Sequence, residues 1–279
     1  MRIIDSKNFI DIVEKLCIDA NYILPEDIQN KILQCKENET NELSKNFFDI
    51  VCENIDIAHN KKFPLCQDTG FALVFLEIGN NVFIDGDMDE AINIGVRRGY
   101  EKGYLRKSIV KDPIDRINTN DNTPAIIYKE IVEGTNVKIT VVPKGAGSEN
   151  MSKIKMLKPS DGIEGVKNFI YDTVKSAKAN PCPPIIVGVG IGGTFDKCAL
   201  LAKKALLIPL DKKNDNEFYA KLETEMYENI NKMNIGAQGL GGNNTCLGVK
   251  ILTMATHIAC LPVAVNINCH VARHSSIII

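Results

Sequence analysis

A chain of 279 residues with 44% hydrophobic and 24% charged residues carries enough apolar material for one large core or two modest ones, as an ordinary soluble globular protein does. Thirty-three basic side chains against thirty-five acidic ones leave a formal charge of −2, so no overall field favours nucleic acid or an anionic membrane surface, and any partner has to be recognised at a local site. The N-terminus, MRIIDSKNFIDIVEKL, alternates charged and apolar residues without the apolar run of a signal peptide, and no apolar stretch reaches the ~18 residues that span a bilayer, so a cytoplasmic protein without membrane or nucleic-acid partners is expected.

Residues 7–59 space their apolar side chains three and four apart with few glycines, and Pro25 followed by Glu26 and Asp27 suits the first turn of a second helix. From about residue 71 the pattern changes. FALVFLEI and NVFIDG predict two strands of a hairpin turning at Gly79-Asn80-Asn81, and MDEAINIGVRRGYEKGYL returns to helical spacing. Further strands are expected at PAIIYKEIV, NVKITVVP, PPIIVGVG and LPVAVNIN, with helices at 162–178 and 216–233. No repeat, low-complexity tract or linker interrupts them. The expected fold is α+β: one domain over 1–279, with a helical N-terminal part (1–60) and a mixed part (61–279) on short, mainly antiparallel sheets, in one body or two lobes.

Nine cysteines is an odd number, and in a reducing compartment they are core residues, catalytic thiols or metal ligands. Cys17, Cys35 and Cys52 lie in helix-like segments and Cys198 and Cys260 among aliphatics, where a small apolar side chain explains each one. Cys66, Cys182, Cys246 and Cys269 remain. No C-x-x-C occurs, which speaks against zinc ribbons, thioredoxin-like pairs and ferredoxin-type clusters, so any metal site is assembled from distant loops. Cys66 precedes Gln67 and Asp68, Cys182 stands between two prolines, and Cys269 follows an apolar run, so these three sit at element ends. Three thiolates would hold three irons of a [4Fe–4S] cube and leave the fourth open as a Lewis acid.

Glycine and polar residues concentrate in five joints: LCQDTG (65–70), PKGAGSEN (143–150), NPCPP (180–184), GVGIGGT (188–194) and GAQGLGGNN (236–244). Such joints let backbone N–H groups approach an anion or a sulfide, although any one alone is better explained by a tight loop. In GVGIGGT, Gly188, Gly190 and Gly193 satisfy G-x-G-x-x-G between an apolar strand and a helix, with Asp211 near the distance expected of a ribose-binding acid; a dinucleotide-binding oxidoreductase using Gly188–Gly193 is therefore the alternative from a different class. The unit begins only after residue 180, and the chain beyond Asp211 reads as a helix and another glycine-rich loop.

CQDTG, KGAGSEN, NPCPP followed by GVGIGGTFDKCALLAKKAL, GAQGLGG and the late Cys269, in this order over residues 63–273, resemble the class I (iron–sulfur) fumarate hydratases and the related L-tartrate dehydratases. The length is similar to that of the α subunit of the two-subunit form. The resemblance implies a hydro-lyase acting on a small dicarboxylate, with hydration of fumarate to S-malate as the leading reaction and dehydration of L-tartrate or a methylfumarate-type substrate as the alternative. It implies a [4Fe–4S] cluster with one open iron on Cys66, Cys182 and Cys269, Cys246 competing for the third position. Gln67, Asp68, Arg106, Gly145, Ala146 and Gly147 match substrate-binding positions; Asp68 also matches a residue of proton transfer, and His257 a histidine near the active site. The surrounding Thr256-His257-Ile258 departs from the Arg-His-Gly of single-chain members. His270, next to Cys269, fits either a supporting role or an exposed one. The remaining cationic and acid–base groups are expected from a β subunit, in an α2β2-type heteromer.

Overall fold

The computed structural model describes residues 1–279. In chain order the elements are β1 (Arg2–Asp5), α1 (Asn8–Tyr22), α2 (Glu26–Asn38), α3 (Glu42–Lys61), β2 (Phe71–Gly79), β3 (Val82–Asp85), α4 (Met88–Lys102), β4 (Ile126–Val132), β5 (Val137–Lys144), the single turn α5 (Ala146–Glu149), β6 (Lys153–Leu157), α6 (Gly162–Ala177), β7 (Ile185–Gly192), α7 (Phe195–Ala205), α8 (Glu217–Asn231), β8 (Cys246–Met254), β9 (Leu261–Asn268) and β10 (Ser275–Ile278). The fold is α+β. Two compact units emerge: Met1–Pro25, Ile55–Ala146 and Arg273–Ile279 form the first, Glu26–Asn54 and Gly147–Ala272 the second. No helix is long and apolar enough to cross a membrane.

The first unit is built on a sheet ordered β10-β5-β2-β4, in which β5 runs antiparallel to β10 and β2 while β4 joins β2 in parallel. Alternation along the strands makes one buried face: Ala72, Val74, Leu76 and Ile78 of β2 and Val137, Ile139 and Val141 of β5 pack with Phe9, Val13 and Leu16 of α1 and Ile92, Val96 and Tyr100 of α4. The two helices approach closely because α4 offers glycines at the crossing. A Cβ added to Gly99 would lie 2.8 Å from the Cβ of Cys17, which accounts for a small side chain at Cys17. The expected β2–β3 hairpin does not form. Both edges of β2 are occupied, by β4 and β5, and the residues of the Gly79-Asn80-Asn81 turn bond instead to the 132–136 segment, so β3 pairs in parallel with β1, a strand absent from the sequence reading. Parallel pairing of β2 with β4 is possible because α4 lies in the long connection between them.

The second unit carries the sheet β6-β9-β7-β8, with β9 antiparallel to both β6 and β7 and with β7 and β8 parallel. Val187, Val189 and Ile191 of β7 face a core shared with Val166, Ile170 and Val174 of α6 and Leu222, Met226 and Ile230 of α8. The alternate positions, Gly188 and Gly190, face α7. Here the glycines have a packing reason: a Cβ on Gly190 would sit 2.1 Å from the carbonyl oxygen of Cys198, and one on Gly188 2.2 Å from that of Ala202. β8 went unrecognised in the sequence, and its parallel pairing with β7 means that a βαβ-type crossover does follow the GVGIGGT segment. Gly190→Ala is expected to lower stability by about 3 kcal/mol, since the strand and helix backbones must separate to admit a methyl group. The drop should be seen in chemical denaturation and should be the same with and without added NAD; tight NAD binding that depended on Gly190 would instead support the dinucleotide reading.

Candidate functional site

In the first unit the loop between α3 and β2 presents Cys66, half-buried, Gln67, exposed, and Asp68, half-buried. The loop is held from beneath. The buried Tyr100 hydroxyl shares its one proton between the carbonyl oxygens of Thr69 (2.8 Å) and Gly70 (3.1 Å), and the Asn122 amide donates to Gly70 O at 3.2 Å. Gly70 adopts φ +67°, and a Cβ there would lie 2.5 Å from the Lys144 carbonyl, so the loop can press against the end of β5 only with glycine at this position. Burial pushes the Tyr100 hydroxyl far above its ordinary pKa, so it serves as a neutral donor.

Asp68 has a defined orientation. Its Oδ1 accepts the Gly70 N–H at 3.0 Å and its Oδ2 accepts the Ala146 N–H at 3.0 Å, while Arg273 donates to its main-chain oxygen. A Cβ on Gly145 would stand 3.1 Å from Oδ2, so the Lys144-Gly145-Ala146 segment closes over the carboxylate. The Ala146 amide, expected to face substrate, is thus engaged by Asp68 in this structure. Arg106, exposed, donates from Nη1 to Gln67 Oε1 at 3.0 Å, and its backbone is tied to Thr69 by a pair of hydrogen bonds of 2.8 and 3.1 Å. Gln67, Asp68, Arg106, Gly145 and Ala146 therefore gather around one loop.

In the second unit Cys182, exposed, projects from the NPCPP turn with φ +54°, followed by a cis bond between Pro183 and Pro184. Cys269, half-buried, follows the last residue of β9. Because Asn268 of β9 lies opposite Ile186 of β7, the two cysteines belong to the same end of the sheet. His270 makes the link direct, its Nδ1 lying 3.0 Å from the Cys182 carbonyl oxygen and its ring standing edge-on to Phe47 of α3 at 5.3 Å. The GAQGLGGNN loop joins them through Gln238, whose backbone N–H donates to Pro183 O at 2.8 Å. Gly147 is exposed at the start of this unit, in the turn of α5.

His257 lies elsewhere. It is exposed beyond the end of β8, where Thr256 donates to Gly193 O at 2.9 Å, at the opposite end of β7 from Cys182. β7 is eight residues long, so at ~3.3 Å per residue roughly 25 Å of strand separates His257 from the Cys182–Cys269 end.

No group of three or more His, Cys, Asp or Glu side chains is gathered ready to hold a metal ion, but burial sets four of the nine thiols apart as unsuited to a cluster. Burial pushes the thiols of Cys35 and Cys246 up to about 12 and that of Cys198 to about 11, and raises Cys17 further still. A metal ligand must be a thiolate, which such sites oppose. Cys246 also donates its S–H to Gly248 O at 3.2 Å inside the sheet. Cys66, Cys182 and Cys269 are half-buried or exposed thiols on loops or strand ends, Cys52 of α3 and Cys260 before β9 are half-buried as well, and none of the nine cysteines forms a disulfide. The donor chemistry of these three fits an iron–sulfur group. The sequence reading passed over Thr69, Tyr100, Asn122, Arg273 and Phe47. Only Arg273, four residues beyond Cys269, carried a signal, as a charged residue close to a candidate ligand.

In the first unit an oriented carboxylate, Asp68, and a half-buried thiol, Cys66, share one loop, with Arg106 hydrogen-bonded to it. The family model for fumarate hydratase (fumerase) matches residues 10–278, and the chain belongs to this family of hydro-lyases. It is 44% identical over 272 residues to a Methanocaldococcus jannaschii protein named "Putative L(+)-tartrate dehydratase subunit alpha", covering 95% of each chain. It is 32% identical to the L(+)-tartrate dehydratase subunit alpha of Escherichia coli O157:H7, covering 92% of this chain and 86% of that one, and the same figures hold for the protein of that name from Escherichia coli K12.

Proposed function

We propose that this chain is the α subunit of a cytoplasmic iron–sulfur hydro-lyase that removes water from L-tartrate, with residues 1–279 working as one cluster-binding catalytic domain. The observation that carries the substrate is the likeness, along nearly the whole chain, to proteins named as L(+)-tartrate dehydratase α subunits. Interconversion of fumarate and S-malate, placed first in the sequence reading, becomes the second reading, favoured by the name of the family model.

Cys66, Cys182 and Cys269 would hold a [4Fe–4S] group, which when bound supplies a Lewis acid for the departing hydroxyl. The chain's own residues do the rest of what it contributes. Arg106 is placed to grip a substrate carboxylate, with its Nη1 already oriented by Gln67 at 3.0 Å. Gln67, whose Oε1 accepts from Arg106, keeps its amide N–H groups for a substrate hydroxyl or carboxylate. Asp68, fixed by two backbone amides at 3.0 Å each, retains further lone pairs through which to take up the proton of the C–H bond or to orient the group that does. Breaking one C–O bond and the adjacent C–H bond of tartrate releases water and leaves an enol, which tautomerises to a 2-oxo dicarboxylate. His257 has no assigned step here. The second carboxylate clamp and the acid–base pair would come from a β subunit.

The test is a substrate panel on the anaerobically reconstituted chain with its partner, measuring kcat/KM for L-tartrate, fumarate, S-malate and mesaconate. L-tartrate is expected to lead by about 10,000-fold, the scale of discrimination when a site built for a hydroxyl meets a substrate lacking it. A lead for fumarate and S-malate would overturn the tartrate assignment and leave the hydro-lyase class standing.

A further inference from the structure

Behind the loop of Cys66, Gln67 and Asp68, the first unit buries a positive charge with no negative partner. Arg273 is only 3% exposed. Its Nη2 donates to the main-chain oxygen of Asp68, its Nε has no hydrogen-bond partner, and no carboxylate pairs with it. The Asp68 carboxylate is turned to the amides of Gly70 and Ala146. Both the guanidinium and the Asp68 carboxylate act on Tyr100, a buried phenol that remains neutral and lies within hydrogen-bonding distance of the Thr69 and Gly70 carbonyl oxygens. Arginine is almost never buried unless paired, because removing a guanidinium from water is costly and only an opposite charge or a full set of acceptors offsets it. Anchoring Asp68 O alone would not require a charge, since the neutral donors Tyr100 and Asn122 perform that task for the carbonyls of Thr69 and Gly70. An anion that arrives at this loop would give the positive charge the partner it lacks.

We propose that Arg273 is a positioning residue whose buried charge offsets the net negative charge of a cluster held through Cys66, so that the apo chain carries an electrostatic penalty which cluster binding relieves. This rests on the reading that Cys66 is a cluster ligand. The consequence is a reversal of sign. Without the cluster, an uncharged side chain of similar length should be tolerated as well as arginine or better; with the cluster, the same change should weaken the assembly.

The experiment compares the full-length chain with Arg273→Met and Arg273→Lys, each as apo protein and after anaerobic reconstitution with iron and sulfide. Tm is read by scanning fluorimetry and iron release by the rate of transfer to a chelator. Apo Arg273→Met is expected to melt at or above the wild-type temperature, whereas loaded Arg273→Met should melt below it and release iron about tenfold faster, the low end of the range for residues that support metal ligands. Arg273→Lys, which keeps the charge, should stay within about threefold of wild type in release rate, well inside that range. Loss of the fold or a lowered Tm in apo Arg273→Met would mark Arg273 as a structural anchor and overturn the proposal, as would unchanged iron release from the loaded variant. Failure of the wild-type chain to take up iron would instead overturn the cluster reading on which the proposal stands.

Discussion

Serine at Cys66, Cys182 or Cys269 is expected to abolish cluster assembly, taking anaerobically reconstituted protein from about four irons per chain to near zero and removing the broad absorption near ~400 nm of thiolate-held clusters. The loss should be nearly complete for each one, because two thiolates and a weakly acidic hydroxyl do not hold a cube that already depends on three protein ligands. Cys198→Ser is the control. Its thiol donates to Gly190 O at 3.1 Å from a fully buried position, a bond that a serine hydroxyl can also make, so the fold and the iron content should be retained. Cys246→Ser should behave like Cys198→Ser for the same reason, its S–H facing Gly248 O. Retention of a full cluster in Cys269→Ser with loss in Cys246→Ser would show that the third ligand had been assigned to the wrong cysteine.

Turnover by the isolated chain should be at least ~100-fold below that of the complex with a β subunit, the scale on which loss of transition-state donors acts. A dicarboxylate requires cationic groups or oriented donors at both ends, yet the loop of Gln67, Asp68 and Arg106 offers a single guanidinium to the outside, Arg273 being buried behind it. Ala146, one of the amides that could have served, bonds to Asp68 Oδ2. Titrating β subunit into a fixed amount of reconstituted chain should restore activity in proportion to the complex formed and saturate at one partner per chain. Full activity from this polypeptide alone, after mass spectrometry excludes a contaminating subunit, would sink the idea.

Much of the candidate site was legible from residue types. The Cys66-Gln67-Asp68 run and the glycines at 145 and 147 stood out because chemistry-bearing residues and glycines rarely crowd together without cause, and the structure does gather Gln67, Asp68, Arg106, Gly145 and Ala146 around one loop. The long amphipathic helices were equally plain, since a 3.6-residue period depends only on local spacing. β1 and β8 escaped notice: β1 has four residues, too few to show a period, and β8 begins within a polar, glycine-rich stretch.

By itself the sequence determined the element types over the long periodic segments, the core placement of Cys17, Cys35 and Cys198, and the family, because each of these depends on residue identity and short-range order; it misplaced Cys52 and Cys260, which are half-buried, and left open Cys246, which is buried. Only the tertiary structure decided which strands pair, that Gly188 and Gly190 make room for α7 rather than for a phosphate, that His257 lies a strand's length from Cys182 and Cys269, and that Arg273 is buried behind Asp68. These depend on contacts between residues distant in the chain, and pairing and burial are settled by competition among all such contacts at once: β2 has two edges, and once β4 and β5 occupy them no local turn preference can return β3 to it.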